Sequence, residues 1–309
     1  MSGEIKNMRL SDQVKDTAMR KYLYLDLDIG ELIDRMRNLK LTDIGNDEHA
    51  PFNAKVRGYT GAIDEEGNPW LIKEVGLAEA QELRIQEIAY FMDFILNTPA
   101  APAILLNYDG RLYRATKHVI NAMQISSYNY MEPPYIKILA NDLLNRWLFF
   151  DEDRNPNNYL VKHDLDDSPY IVVIDYNKVD LETEGMKIWG LENKFGWHRK
   201  EKTRFLTLLK PGNFDNLCLE DFESRLQLFD TIDEKTISGI CQAAFVGDIL
   251  EDAEASCKKI TNNLLVRKNY LTEYFRKWFI ERDETKEKEI DDRYADLGQS
   301  FLDYYKRES

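Results

Sequence analysis

Residues 151–179 read DEDRNPNNYLVKHDLDDSPYIVVIDYNKV, two β-rich runs set between clusters of acids and asparagines. Tyr159–His163 and residues 170–176 are separated by the turn sequence DLDDSP, so the spacing predicts an antiparallel hairpin. In such a hairpin the start of the first strand lies beside the end of the second, which sets Asn158 next to Asp175, 17 residues away in the chain. Asp153, five residues before Asn158, lies on the loop feeding the same end. Asn155-Pro156 and Asn157-Asn158 are turn formers that hold that loop tight. Two carboxylates and one amide oxygen thus converge, a hard-oxygen set of the kind that binds Mg²⁺ together with substrate phosphates. The run IVVI before Asp175 is apolar enough for a buried strand, and a carboxylate emerging from a core needs a partner such as a metal. Taken singly, each of these residues reads as a turn or a strand-end ion pair; their conjunction points to chemistry.

Composition narrows the class. A chain of 309 residues can form one large or two-lobed domain, and 43% hydrophobic with 12% aromatic residues places it outside the disordered regime. The net charge of −14 argues against a general nucleic-acid binder and against a protein that coats anionic membranes. Cys218, Cys241 and Cys257 fit neither a CxxC metal pattern nor a disulfide framework, and His49, His118, His163 and His198 show no metal-ligand spacing. No apolar run reaches the roughly 18 residues of a membrane span, and the first residues lack the apolar core of a signal peptide. The expectation is a soluble, cytoplasmic protein with reduced thiols.

Along the chain, residues 1–50 read as a charged, helical N-terminal extension with Ile29, Leu32, Ile33, Met36 and Leu39 on one face. Residues 51–118 change character: FNAKVRGYTGAID and PWLIKEVG are strand-like and joined by DEEGN. LAEAQELRIQEIAYFMDFIL is a strong helix, and AILLNYDGRLYRATKHV is a second strand pair turning at Asp109-Gly110. Residues 119–309 are mostly helical apart from the hairpin already described. The expected class is α+β, a small sheet-rich lobe followed by a larger helical one.

Asp-x-x-x-x-Asn, a hairpin and then Asp is the arrangement of protein-kinase-like folds, in which the first Asp orients the nucleophile while the Asn and second Asp hold Mg²⁺. DEDRNPNNYLV…IVVIDYNKV resembles the HipA-like kinases most, and the phosphoinositide kinases at greater distance. The resemblance covers roughly residues 51–280 and implies a bilobal kinase-like fold, ATP and Mg²⁺ as cofactors, Asp153 as the catalytic residue that orients or deprotonates the acceptor hydroxyl, and Asn158 with Asp175 as metal ligands. It further implies a strand lysine held by a helix glutamate. Lys73 sits in the otherwise apolar NPWLIKEVG, and Glu87 interrupts the apolar stripe Ala80, Leu83, Phe91 and Phe94, with Glu79, Glu82, Gln86 and Asp93 toward the other side. Gly58 and Gly61 would cover the phosphates. By position alone, residues 114–118, including Thr116, Lys117 and His118, would read adenine through backbone groups.

The chain departs from eukaryotic-type protein kinases: it lacks a full G-x-G-x-x-G, Asp175 is followed by Tyr176-Asn177, and no Ala-Pro-Glu closes an activation segment. The basic, aromatic segment KFGWHRKEKTRF, with Arg199, Lys200 and Lys202, falls where an acidic or phosphorylated acceptor would dock. The reading that results is a Mg·ATP-dependent phosphotransferase acting on a protein Ser/Thr or small-molecule hydroxyl. A catalytically inactive nucleotide-binding or interaction module and an AMP transferase are the alternatives.

Overall fold

The computed structural model describes residues 14–46, 50–130, 132–151, 156–184, 218–245 and 252–284. The protein is α+β, with strands concentrated in its N-terminal part and helices in its C-terminal part. It forms two compact units, each discontinuous in sequence. The first comprises Met1–Met123, Leu160–Asn177 and Ser238–Glu254; the second comprises Gln124–Tyr159, Lys178–Ile237 and Ala255–Ser309.

The first unit is built on a five-stranded antiparallel sheet of β1 (Leu41–Asn46), β2 (Thr60–Asp64), β3 (Pro69–Glu74), β4 (Ala103–Tyr108) and β5 (Arg111–Lys117), in the order β1-β2-β3-β5-β4. The β2–β3 and β4–β5 hairpins are the two anticipated ones, and the second turns through Asp109 and Gly110 at φ 50° and 75°. β1 is a correction, because residues 1–50 read as mostly helical. It lies on the edge of this sheet, with Leu41 opposite Asp64 and an irregular register between Thr42 and Asn46. Asp43 and Gly45 adopt positive φ there (52° and 91°), and such a bulge erases the two-residue alternation that marks a strand. Residues 52–56, expected to open a strand, instead form a short helix.

Among the described residues, α1 (Thr17–Tyr22) and α2 (Ile29–Arg37) precede β1. A reciprocal capping box starts α2, the Glu31 amide donating to the Asp28 carboxylate and the Asp28 amide to the Glu31 carboxylate, both at 2.9 Å. Its apolar stripe Ile29, Leu32, Ile33 and Met36 is buried as expected. With the short helix Phe52–Val56 as α3, the long helix Leu77–Ile95 is α4. Ala80 and Leu83 of α4 pack on Leu105 of β4, with Val75 and Leu112 alongside. From Leu83 to Ile95 every residue of α4 is buried, including Gln86 and Asp93, which the helical spacing alone had turned outward. The reason is that α2 packs against α4, so this helix has no solvent face over that span.

The expected hairpin is present as β7 (Tyr159–His163) and β8 (Pro169–Val173), neighbours in a three-stranded sheet completed by β6 (Met123–Gln124). β8 stops at Val173, three residues short of the expected end, because its backbone turns to another partner: the Val173 amide donates to the Pro99 carbonyl and its carbonyl accepts from Ala101, both at 2.9 Å. The segment between α4 and β4 is thereby stitched to the end of β8.

The second unit contains α5 (Tyr135–Leu148), α6 (Glu220–Thr231) and most of the long α8 (Ala253–Glu284), while α7 (Glu234–Ala244) is divided, its residues from Ser238 onward belonging to the first unit. Tyr159 and Arg146 both bond to the buried Asp142, and Arg146 also lies 3.7 Å from Asp151. Arg267 of α8 is fully buried. Its guanidinium stacks 3.5 Å from the Phe150 ring centroid and donates to the carbonyls of Leu148 (3.2 Å), Asp180 (2.8 Å) and Thr183 (2.6 Å). One cation therefore gathers the segments on either side of the β7–β8 hairpin. Arg267→Met, which removes the donor shared by one buried and two part-buried carbonyls, is expected to lower unfolding stability by about 3 kcal/mol, read from denaturant midpoints.

Candidate functional site

β5 lies between β3 and β4, and its successive side chains alternate between the two faces of the sheet. Across β3 the register pairs Trp70 with Lys117, Ile72 with Ala115, Leu71 with Thr116 and Lys73 with Arg114. Lys117 and Arg114 consequently belong to opposite faces, and each face has its own cluster.

On the first face Lys117 is fully buried. Its ammonium lies 2.9 Å from the Tyr24 hydroxyl and 3.4 Å from the Asp64 carboxylate. It also sits 4.0 Å, 4.5 Å and 5.7 Å from the ring centroids of Tyr24, Tyr22 and Trp70. Asp64 is held in turn by the Trp70 indole N–H (3.1 Å) and the Asn68 amide (3.0 Å), and these bonds with the Lys117 charge outweigh burial and keep its carboxyl below the usual range. Burial pushes the Lys117 ammonium down to about 8 against the pull of Asp64, and pushes the Tyr22 phenol up to about 12. This cluster holds α1 and the chain after it onto the sheet.

Residues 114–118, expected to read adenine through backbone groups, are tied into the sheet at several of those groups. Thr116 is opposite Leu71 on one side and Ala103 on the other. The Lys117 amide donates to the Pro102 carbonyl and the His118 amide to the Pro69 carbonyl, both at 3.0 Å, while the His118 carbonyl accepts from the Tyr22 hydroxyl. The amides of Lys117 and His118 and the His118 carbonyl are thus engaged inside the protein, and the Lys117 side chain is part of the core.

The second face holds the other candidates. Lys73 is exposed and lies beside Gly58, where an added Cβ would meet the Lys73 Cε at 3.9 Å; Gly58 itself has φ +79°. Gly61 is buried within β2, opposite Leu71. Arg114, directly across from Lys73, donates to the Tyr59 hydroxyl at 3.3 Å and to the Asn177 side-chain oxygen. Asn177 in turn donates its amide to the Asp175 carboxylate at 3.2 Å. Asp175 is half-buried with φ 62°, a left-handed conformation uncommon outside glycine and asparagine. It is flanked by buried Tyr176, whose hydroxyl donates to Asp93 of α4 at 2.7 Å. The structure thus brings Gly58, Lys73 and the Asp175 segment to one face of one unit, linked through Tyr59, Arg114 and Asn177, none of which the sequence had assigned to phosphates or metal.

Glu87 does not join them. Its carboxylate is completely buried and lies 3.1 Å from Arg37 of α2 and 3.1 Å from Arg84, one turn away on its own helix. Burial pushes this carboxyl up, while the Arg37 and Arg84 charges pull it down. The expected pair with Lys73 is therefore replaced by an arginine–glutamate–arginine triad that ties α4 to the N-terminal helices. The apolar stripe had correctly marked Glu87 as inward-facing; Arg37, fifty residues earlier in the chain, carried no signal of being its partner.

Asn158 belongs to the second unit, buried at the end of the short 3₁₀ turn Pro156–Asn158 that runs directly into β7. The neighbouring Asn157 accepts from the Ser126 hydroxyl at 2.9 Å. Asp153 and the basic residues Arg199, Lys200 and Lys202 lie outside the described residues. Among the described residues no group of three or more His, Cys, Asp or Glu side chains is placed to hold a metal, and no helix is long and apolar enough to cross a membrane.

No family model matches the chain, and no curated protein sequence matches it. Among solved structures it is similar to the proinflammatory kinase CtkA of Helicobacter pylori, at 11% identity and a TM-score of 0.47, over 74% of this chain and 96% of that one. It is also similar to the pseudokinase domain of BIR2, an immune regulator of the RLK/Pelle family, at 12% identity and a TM-score of 0.33, over 85% of this chain and 96% of that one. A MAP kinase of Leishmania major is similar at 15% identity and a TM-score of 0.27, over 82% of this chain and 90% of that one.

Two measurements test the clusters. Glu87→Ala leaves two guanidiniums without their shared counter-charge and is expected to cost about 3 kcal/mol or more of stability, whereas Lys73→Ala leaves stability within about 0.5 kcal/mol; urea unfolding of the two variants checks this. Lys117 titrates near 8 in the fold against 10.5 for a free lysine, so the unfolded chain binds more protons between those values and folding stability gains as pH rises through that window. Comparing Lys117→Met with the parent protein from pH 7.5 to about 9, before unfolded tyrosines ionise, is expected to show the parent gaining on the variant.

Proposed function

We propose that the protein is an ATP- and Mg²⁺-dependent phosphotransferase of protein-kinase-like, HipA-like type. Residues 51–118, together with β1, form its nucleotide-covering lobe, and residues 119–309 form a helical lobe with the catalytic loop. The observation that carries the reading is the cluster on one sheet face: Lys73 beside Gly58, opposite Arg114, whose guanidinium reaches Asn177 two residues from Asp175.

Lys73 contacts the α/β-phosphates, and Gly58 lets the chain approach them closely. Gly61 does the same within β2. Asp175 and Asn158 supply a carboxylate and an amide oxygen for Mg²⁺, hard donors that suit a cation whose remaining ligands are waters and phosphate oxygens. The backbone at Asp175 is suited to that task, since Tyr176 is fixed to Asp93 and Asn177 to Arg114. When bound, Mg²⁺ neutralises charge on the phosphate oxygens. Asp153 accepts the proton of the acceptor hydroxyl. Arg199, Lys200 and Lys202 draw in an acidic or phosphorylated acceptor, a protein Ser/Thr or a small molecule, and the reaction takes place in the cytoplasm.

One observation favours a second reading. Glu87 is committed to Arg37 and Arg84, so Lys73 lacks the helix carboxylate that holds such a lysine in active kinases. A nucleotide-binding module without turnover fits that arrangement. Calorimetric titration of ATP with and without Mg²⁺, followed by a γ-phosphate release assay, decides between them. The active reading expects Mg²⁺-dependent binding, turnover, and a loss of roughly a hundredfold or more in turnover in Asp175→Asn. Binding without turnover selects the inactive module, and ATP binding that neither Mg²⁺ nor Asp175→Asn alters removes the assigned metal site.

A further inference from the structure

We propose that Arg114 is a phosphate-contacting residue, sharing the polyphosphate of the nucleotide with Lys73 in place of the absent lysine–glutamate pair. The proposal rests on the nucleotide-binding reading above and adds a second cation to it.

Lys73 and Arg114 are cross-strand partners on one sheet face. Like charges directly opposite one another destabilise a sheet unless a counter-charge lies between or beside them. The chain carries a net charge of −14, with 55 acids against 41 lysines and arginines, so counter-charge is abundant. Yet among the described residues neither cation forms an ion pair, while Arg111 on the same strand is 3.5 Å from Glu74 and Arg84, Arg37 and Lys117 are all paired with acids. The partners of Arg114 are neutral: the Tyr59 hydroxyl and the Asn177 amide oxygen, which hold the guanidinium toward the Asp175 segment. Its Nε is buried with no hydrogen-bond partner. A guanidinium that is positioned, unneutralised and still short of one acceptor, set beside a free ammonium, matches a phosphate group, which presents several anionic oxygens to a planar donor fork.

The test is calorimetric titration of the full chain with ATP, inorganic tripolyphosphate and adenosine, using wild type, Arg114→Gln and Arg114→Met. Arg114→Gln keeps a donor for Tyr59 and Asn177 but removes the charge. The expected result is a loss of about tenfold to a hundredfold in affinity for ATP and tripolyphosphate in both variants, with adenosine binding unchanged. Variants that bind tripolyphosphate as tightly as the parent overturn the proposal, and leave the nucleotide reading standing if Mg²⁺-dependent ATP binding persists. If the parent binds tripolyphosphate but not ATP, and Arg114→Gln loses it, the phosphate contact stands and the nucleotide reading fails. If the parent binds neither, both fall. A measurement on the unmutated chain guards against variants that do not fold: tripolyphosphate should slow phenylglyoxal modification of Arg114, read by peptide mass spectrometry, and an unchanged rate overturns the assignment.

Discussion

A central strand must satisfy two faces at once, and β5 is the strand on which the first unit depends. Its alternation sends Lys117 into an aromatic cage closed by Asp64, and sends Arg114 to the face that carries Lys73, Gly58 and the segment after β8. The two cations lie three positions apart, so no register could place both on one side. The first is therefore paired with an acid in the core, and the second is held by the neutral partners Tyr59 and Asn177. A buried ammonium is tolerated because three rings, a hydroxyl and a carboxylate surround it.

The helix beside that sheet is governed by a second buried charge. Glu87 without partners would be costly at zero exposure, and Arg37 and Arg84 offset that cost while fixing α4 against α2. The N-terminal residues are thus part of the unit and not an appendage: they supply α2, the edge strand β1, Arg37 and two of the three rings around Lys117. In the same helix Asp93 receives the Tyr176 hydroxyl, which ties α4 to the residue after Asp175. One helix consequently touches both the N-terminal layer and the candidate metal segment.

Features resting on near neighbours in the chain were legible. The capping box and stripe of α2, the length of α4, the Asp-Gly turn and the β7–β8 hairpin all follow from spacings of a few residues. β1 was not legible, since a bulge at Asp43 and Gly45 breaks its alternation and its sequence overlaps a helical pattern. Nor was the reach of burial around α4: Gln86 and Asp93 lie off the apolar stripe, and only a second packing partner explains why they are inside. For the site, Lys73, Gly58 and Asp175 were readable as candidates, whereas Arg114 was placed, by position alone, in an adenine-reading stretch and not beside Lys73.

The sequence by itself determined which residues are chemically unusual: a lysine in an apolar strand, a glutamate on an apolar stripe, an aspartate at the end of a buried strand. It also determined the α+β class, because period and turn chemistry are local properties. Only the tertiary structure decided who partners whom. Glu87 could have met Lys73 or an arginine fifty residues upstream, and Lys73 could have faced a carboxylate or another cation. The physical reason is that an ion pair needs only proximity, and proximity across a sheet is set by strand order. The order β1-β2-β3-β5-β4 makes β3 and β5 neighbours although α4 and β4 lie between them in the chain.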